Sequence, residues 1–410
     1  MSSIYTFVPI YISMNLTPII KRPWWKYHEY DFISDLIPKF ERYIEPFFWW
    51  WWIFFRLQPN KSIINDICPE LVSLYRFIKE DNSIFRTSLL AYTECWRDIP
   101  KYIFSFGNEI NFLYKHMEEY SDEVLKWIIS EIVQKHSDDF HWIFDKDLIV
   151  DSVNVTNQIK KNIFSKLKRI KSLEQKKWKL PQWDLEKNIE TAFRSWFYMH
   201  FRDLLNSPSR FNINKEKQIA NYYFIREFCY AGMFRYNRNG DFNIPYWWIA
   251  YNNKNFLKKV EYLLSRYIVN LFSNAEIYST DFSEIISNKL LSKNDFIFLD
   301  PPYDTEFDNY HWDVFSKKDH IRLLNSLKKT NAKFLLIIKK TDFIFDLYKN
   351  ISWFNIEIFD KKYLVNIKGR NKKNVEHLVI YNYQWSQNQI WLSLRWKSLN
   401  LTKEVWLQVS

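Results

Sequence analysis

Apolar positions along this chain follow two rhythms. From residue 70 to residue 230 they recur at helical spacing among many charges, and the segment reads as mostly helical and amphipathic. On either side of it they gather into short runs that predict strands: Arg42 to Phe48, Ser62 to Asp66, Ala275 to Phe282, Phe296 to Leu299, Ala332 to Ile338, Asn355 to Phe359 and His377 to Tyr383. Helical stretches at 255–270 and 321–327 separate the later runs. Strands alternating with helices imply an α/β fold with a mainly parallel sheet. The pattern divides the chain into residues 15–69 and 251–383, which supply the sheet, a helical insertion at 70–250, and a tail at 384–410.

Two strand ends carry the candidate chemistry. The run Phe296 to Leu299 is continuous, as expected of a strand buried on both faces, and it stops at Asp300-Pro301-Pro302-Tyr303. Two prolines remove two backbone donors and end the ladder. An acid and an aromatic ring are left at the carboxyl edge of a parallel strand, where open α/β sheets bind ligands. Asp300 can accept a hydrogen bond from an exocyclic amino group, and the rigid Pro301 carbonyl can accept a second. Tyr303 offers a face on which a base can stack, worth about 1–3 kcal/mol. The other end is Asp66, after the second strand. In a nucleotide-binding half-sheet an acid there takes ribose hydroxyls. Asp66 also suits a helix entry before Pro69 and Glu70.

Composition narrows the setting. Lysine and arginine number 58 against 47 acids, a formal charge of +11 that favours a polyanionic partner. Cys68, Cys95 and Cys229 lie far apart, with neither metal spacing nor a disulfide framework, so a reducing cytoplasm is expected and no metal. No segment approaches the ~20 apolar residues that cross a bilayer, so no membrane partner is expected.

Two stretches suit DNA. Residues 234–246 contain Asn239-Gly240, a strong hairpin signal that predicts a type I′ turn. Its arms carry Arg235, Asn237, Arg238, Asn243 and Tyr246, the residue types that contact phosphates and base edges. The segment 158–179 holds nine lysines and arginines opposed by Glu174, which fits either phosphate tracking or a solvated helix face.

Taken together, these motifs resemble the Dam-like adenine-N6 DNA methyltransferases. DPPY at Asp300 to Tyr303 matches that family's catalytic motif, and residues 234–246 resemble its DNA-contacting hairpin. Arg42 to Phe55 resembles its methyl-donor loop, and Ile20 to Lys26 its N-terminal element. The resemblance implies a Rossmann-like S-adenosylmethionine-dependent methyltransferase sheet with an inserted, mainly helical target-recognition domain. It implies that Arg22, Lys26, Glu45, Phe47, Asp66, Asp281, Phe282 and Asp300 hold S-adenosylmethionine. Asp300, Pro301, Pro302 and Tyr303 would be catalytic, and Lys21 would join the hairpin on DNA. The partners implied are double-stranded DNA and, within a restriction-modification system, a cognate endonuclease. Cytosine-N4 methylation uses a similar pocket and is the nearest enzymatic alternative.

The chain departs from the family systematically. Tryptophan stands where glycine is expected at Trp24, Trp25, Trp49, Trp51 and Trp247. The whole chain holds 4 glycines and 20 tryptophans, where about 7% usage would give roughly 29 glycines. Glycine in such a loop gives positive φ and close backbone approach to a cofactor, and an indole gives bulk. Taken literally, the donor loop is filled, and a DNA-binding homologue without catalysis becomes the alternative. Translation of UGA codons as tryptophan instead of glycine would produce both anomalies at once.

Overall fold

The computed structural model describes residues 16–20, 33–49, 52–136, 148, 152–176, 182–233, 235–247, 249–288, 290–302, 315–362 and 374–384. Its centre is a seven-stranded sheet in the order β3-β2-β1-β4-β5-β7-β6. The strands are β1 (Arg42–Glu45), β2 (Ser62–Asn65), β3 (Ala275–Tyr278), β4 (Asp295–Leu299), β5 (Lys333–Lys339), β6 (Asn355–Lys362) and β7 (Asn374–Tyr381). The first five are parallel; β7 runs antiparallel to both β5 and β6. All seven predicted strands are present. Successive residues of β4 point to opposite faces: Phe296 and Phe298 join one core, Ile297 and Leu299 the other. Both faces are apolar and covered, so the run could not alternate with polar residues. At the opposite end of the same strand pair, Arg42 grips Asp295 with two hydrogen bonds of 3.0 Å. That fork sits on the paired residues Arg42 and Asp295 and supports the β1–β4 register.

Chain order reverses direction across the sheet between β1 and β4. From β1 the chain passes through α1 (Trp52–Leu57) to β2 on one side, while β4 and β5 lie on the other. The crevice beyond the carboxyl ends of β1 and β4 is therefore the topological switch point, where α/β sheets take their ligands.

Between β2 and β3 the chain builds α2 (Pro69–Lys79), α3 (Ser83–His116), α4 (Asp122–Lys135), α5 (Ser152–Lys176), α6 (Gln182–Asn206), α7 (Lys215–Phe228), α8 (Phe256–Leu263) and α9 (Arg266–Ser273). Helices α3, α6 and α7 pack round an aromatic core of Tyr92, Trp96, Phe197, Phe201, Phe224 and Phe228. Three short helices complete the other sheet face: α10 (Phe282–Ile286), α11 (Lys317–Leu327) and α12 (Asp342–Tyr348).

Two expectations need correction. The stretch 255–270 is two helices, because Ser265 starts α9 after α8 has ended at Leu264. The strand expected to reach Phe282 stops at Tyr278; Asp281 instead caps α10, its Oδ1 accepting from the Ser283 amide at 2.9 Å. A short acidic side chain competes well for a helix amide and poorly for a place in a strand. The tail expected at 384–410 lies, apart from Gln384, outside the described residues.

Candidate active site

The carboxyl ends of β1, β2 and β4 bring three acids together. Glu45 closes β1 and is 1% exposed, Asp66 follows β2, and Asp300 follows β4 at 2% exposure. Tyr43, two residues before Glu45 and so on the same face of the strand, donates its hydroxyl to Glu45 Oε2 at 2.7 Å. Burial pushes the Glu45 carboxyl up to about 8; Asp300 and Asp66 push the same way, against the Tyr43 hydrogen bond. Three acids at one strand edge repel one another, and a cation seated there relieves the repulsion. Asp66 also accepts the Cys68 amide at 2.7 Å, shaping the entry to α2. Both uses foreseen for Asp66 are therefore compatible, although the N-cap position itself is Cys68.

A residue the sequence did not single out ties this edge together. Asn65, 2% exposed, donates to the carbonyls of Pro46 and Thr280 at 3.0 and 3.1 Å. Its Oδ1 accepts the Thr280 amide at 2.9 Å. The loops after β1 and β3 are laced by one side chain. An uncharged residue between strand and acid reads only as a strand end, so nothing in the local pattern announced it.

An aromatic wall stands at the same edge. Phe47 lies 5.2 Å from Phe282 and 5.6 Å from Phe315, ring centre to ring centre. The Arg322 guanidinium sits 5.1 Å from the Phe282 ring and 2.6 Å from Asp281 Oδ1. Burial works to raise the Asp281 pKa, but bonds from Arg322 and Ser283 outweigh it and hold the carboxyl below its ordinary range. Asp281 thus already has partners, and Arg322 is an addition to the expected set.

Trp49 enters the same crevice. Its indole Nε1 donates to the Asp300 carbonyl oxygen at 2.6 Å, crossing from the loop after β1 to the tip of β4. Positive φ is absent at Trp49 and at Trp247, so neither indole imposes the backbone strain anticipated for a glycine position. The cost at Trp49 is volume. Trp247 is stacked between Tyr230 and Tyr251, at 4.3 and 5.4 Å. Lys21, Arg22, Lys26 and Tyr303 lie outside the described residues, as do Trp24, Trp25 and Trp51.

The predicted hairpin is corrected in three respects. Among the described residues its arms are joined by one isolated bridge, Tyr236 to Phe242, while Tyr246 bridges to Cys229 outside the hairpin. The turn is not type I′: Gly240 alone has positive φ, at 85°, and its amide bonds the Asn237 carbonyl. That is a three-residue loop closed by a glycine bulge, which Asn-Gly serves equally well. Tyr246 is 7% exposed, with its ring on Trp96 and Tyr198 and its hydroxyl on Asn252, so it belongs to the helical core. Asn237 is absorbed by the turn: its Oδ1 accepts the amides of Asn239 and Asp241. Arg235 and Asn243 bond each other at 3.0 Å near the surface, and Arg238 is exposed.

The model of the D12 class N6 adenine-specific DNA methyltransferases matches residues 26–133 and 141–366, most of the chain. The chain belongs to that family. The chain is 38% identical over 167 residues to the type II methyltransferase M.CviBI of Paramecium bursaria Chlorella virus NC1A; the match takes in 40% of the chain and spans only 60% of the viral protein. It is 29% identical over 206 residues to the type II methyltransferase M.MjaIII of Methanocaldococcus jannaschii, covering 48% and 68%. A retron Ec67 DNA adenine methylase of Escherichia coli is 28% identical over 167 residues, covering 40% and 55%. The family's methyl donor is S-adenosylmethionine, and the acids and aromatic wall of the chain suit that group: carboxylates for a cation, rings for a purine. Trp49 stands at the same strand edge, bonded to the Asp300 carbonyl.

Among the described residues, no group of three or more His, Cys, Asp or Glu could hold a metal ion, and no helix is long and apolar enough to cross a membrane.

Proposed function

We propose that the chain transfers a methyl group to the N6 amino group of adenine within double-stranded DNA, at a specific sequence. The observation that carries the reading is the meeting of Asp300, at the tip of β4, with Glu45 and Asp66 in the switch-point crevice. When bound, S-adenosylmethionine supplies a methyl group on a positively charged sulfur. Glu45 and Asp300 would hold its amino-acid end, Asp66 its ribose hydroxyls, and Phe47, Phe282 and Asp281 its adenine. Arg22 and Lys26 are assigned to the same task by their motif.

The target base lies inside the duplex and must be extruded, at a cost of a few kcal/mol. Tyr303 would stack on it. Asp300 Oδ and the Pro301 carbonyl would accept the two amino hydrogens. Holding both draws the nitrogen lone pair out of conjugation with the ring and aims it at the methyl carbon. The rate gain comes from position and fixed dipoles, without a covalent enzyme intermediate. Lys21, Arg235, Arg238 and Asn243 would meet DNA. A cognate restriction endonuclease and a cytoplasmic setting belong to this reading. Single-molecule sequencing of DNA from a host expressing the chain tests it: N6-methyladenine in one recurring context is expected, and N4-methylcytosine or no modification counts against it.

Trp49 favours a second reading, a DNA-binding homologue that does not take the donor. Calorimetry separates the two, since only the enzyme releases heat on titration with S-adenosylmethionine.

The Glu45 proton gives a further expected result. The carboxyl rises from 4.5 to about 8 on folding, so between those values the folded state holds the extra proton. Stability from this group is complete below the unfolded value and is lost as pH rises through the folded one. Urea midpoints should fall between about pH 5 and about pH 9, and Glu45→Gln should flatten the fall. Equal slopes in the two proteins would remove Glu45 from this role.

A further inference from the structure

Asp281 and Phe282, the pair assigned to the donor's adenine, are both held by one side chain from another element. Arg322 stands on α11. Its Nη2 donates to Asp281 Oδ1 at 2.6 Å and to Ser283 Oγ at 3.4 Å. The centre of the guanidinium lies 5.1 Å from the Phe282 ring. Its Nη1 donates to Asp319 Oδ1 at 2.9 Å. Asp319 is fixed in turn, because its Oδ2 accepts the Ser316 amide at 2.9 Å and the Ser316 hydroxyl at 2.6 Å. One edge of the fork is therefore anchored to the start of α11, and the other reaches across to the loop after β3.

The backbone that presents Asp281 is fixed as well. Asn65 accepts the amide of Thr280, the residue before it, and donates to the Thr280 carbonyl. Three donors converge on Asp281 Oδ1: the Ser283 amide, the Ser283 hydroxyl and Arg322. A carboxylate oxygen offers about two lone pairs, so Oδ1 is saturated and the acceptor capacity that remains is on Oδ2. Burial favours the protonated acid, and the bonds from Arg322 and Ser283 overcome it, so the group meets a ligand as a carboxylate. A carboxylate accepts from an amino group and repels a carbonyl oxygen. It can tell a 6-aminopurine from a 6-oxopurine only while its orientation is held.

We propose that Arg322 is a positioning residue for donor recognition. By holding Asp281 Oδ1 and lying against the Phe282 ring, it leaves Oδ2 to accept the 6-amino group of the donor's purine, and so sets the preference for adenine over a 6-oxo base. This assignment rests on the reading of Asp281 and Phe282 as the donor's adenine site. Arg322 acts through those two side chains.

The test titrates the full chain, by calorimetry, with S-adenosylhomocysteine and with its 6-oxo counterpart S-inosylhomocysteine. A hydrogen bond to a charged group carries about one to two decades of affinity. Arg322→Met keeps an apolar stem beside Phe282 and removes the donors. It should weaken the adenosyl ligand about tenfold or more and leave the inosyl ligand unchanged, so the ratio between them shrinks. Asp281→Asn, which donates as well as accepts, should shrink the ratio by itself, and adding Arg322→Met should shrink it no further. Arg322→Lys keeps the charge without the fork and should restore part of the ratio. Arg322 is half-exposed, so its ion pairs contribute little to stability and urea midpoints should match the wild type. Should the wild type bind too weakly to measure, the same ratios are read in Trp49→Gly. An unchanged ratio in Arg322→Met, or an equal loss of both ligands, overturns the proposal. Full discrimination in Arg322→Met together with its loss in Asp281→Asn keeps the adenine site and removes Arg322 from it. Binding of neither ligand by the wild type or by Trp49→Gly rejects the donor reading itself, and the role of Arg322 falls with it.

Discussion

Asp300→Ala should abolish methyl transfer while leaving duplex binding within a factor of two of the wild type. Asp300 follows directly on β4, a strand buried on both faces, and it is 2% exposed. Removing it takes away one of the two acceptors proposed for the amino group and one of the three acids proposed for the donor. Loss of a single fixed polar group aimed at a reacting atom costs about a hundred- to a thousandfold in rate. Here two tasks fall on one side chain, so the loss should exceed the upper end of that range. DNA contact is assigned to the hairpin and helical insertion and should survive. The measurement is incorporation of labelled methyl into duplex DNA, with anisotropy on the same preparations. Asp300→Asn, which keeps the shape, controls for folding. Wild-type turnover in either variant would remove Asp300 from the chemistry.

Trp49→Gly should tighten donor binding by roughly a hundredfold. The indole must leave the Asp300 carbonyl before the crevice can fill. Its hydrogen bond is worth about 1 kcal/mol, and the partly buried ring on the order of 2 kcal/mol more. Together these are about two decades of affinity. Calorimetry with S-adenosylmethionine measures the change directly. Equal affinity in the two proteins would mean that the indole does not obstruct the donor. The same experiment bears on the excess of tryptophan over glycine, 20 against 4. If the natural protein carries glycine at position 49 because UGA is read that way in its source, Trp49→Gly recovers the native loop. Peptide mass spectrometry of the natural protein, finding indole at positions 49 and 51, would rule that origin out.

The sheet and its acid-tipped strands were legible because their signals are local. Phe296 to Leu299 must be apolar on both faces, and two prolines must end the ladder, so position and chemistry are written in the eight residues from Phe296 to Tyr303. Asp66 and Asp300 are legible as strand-end acids, whereas Glu45, Phe47 and Phe282 enter through the family resemblance; parallel strands align their carboxyl ends and so put Glu45, Asp66 and Asp300 at one edge. What escaped depends on partners distant in sequence. Asn65 works through Thr280, Arg322 through Asp281, and Trp49 through Asp300. No spacing rule links residues so far apart. Tyr246 is different, since its signal was present. Phe242, Ile244 and Tyr246 alternate with Asn243 and Pro245, and all three are buried, at 1%, 1% and 7%. Period-two reading of that arm puts the ring inside with the other two.

Strands β2 and β3 are direct neighbours, yet the chain between them runs from Asp66 to Asn274. The whole helical assembly therefore hangs from a single crossover, leaving and rejoining the sheet at adjacent seams. Lengthening, trimming or exchanging what hangs there leaves the order of the seven strands intact. Such an arrangement separates the helical assembly from the strand edge that carries Glu45, Asp66 and Asp300.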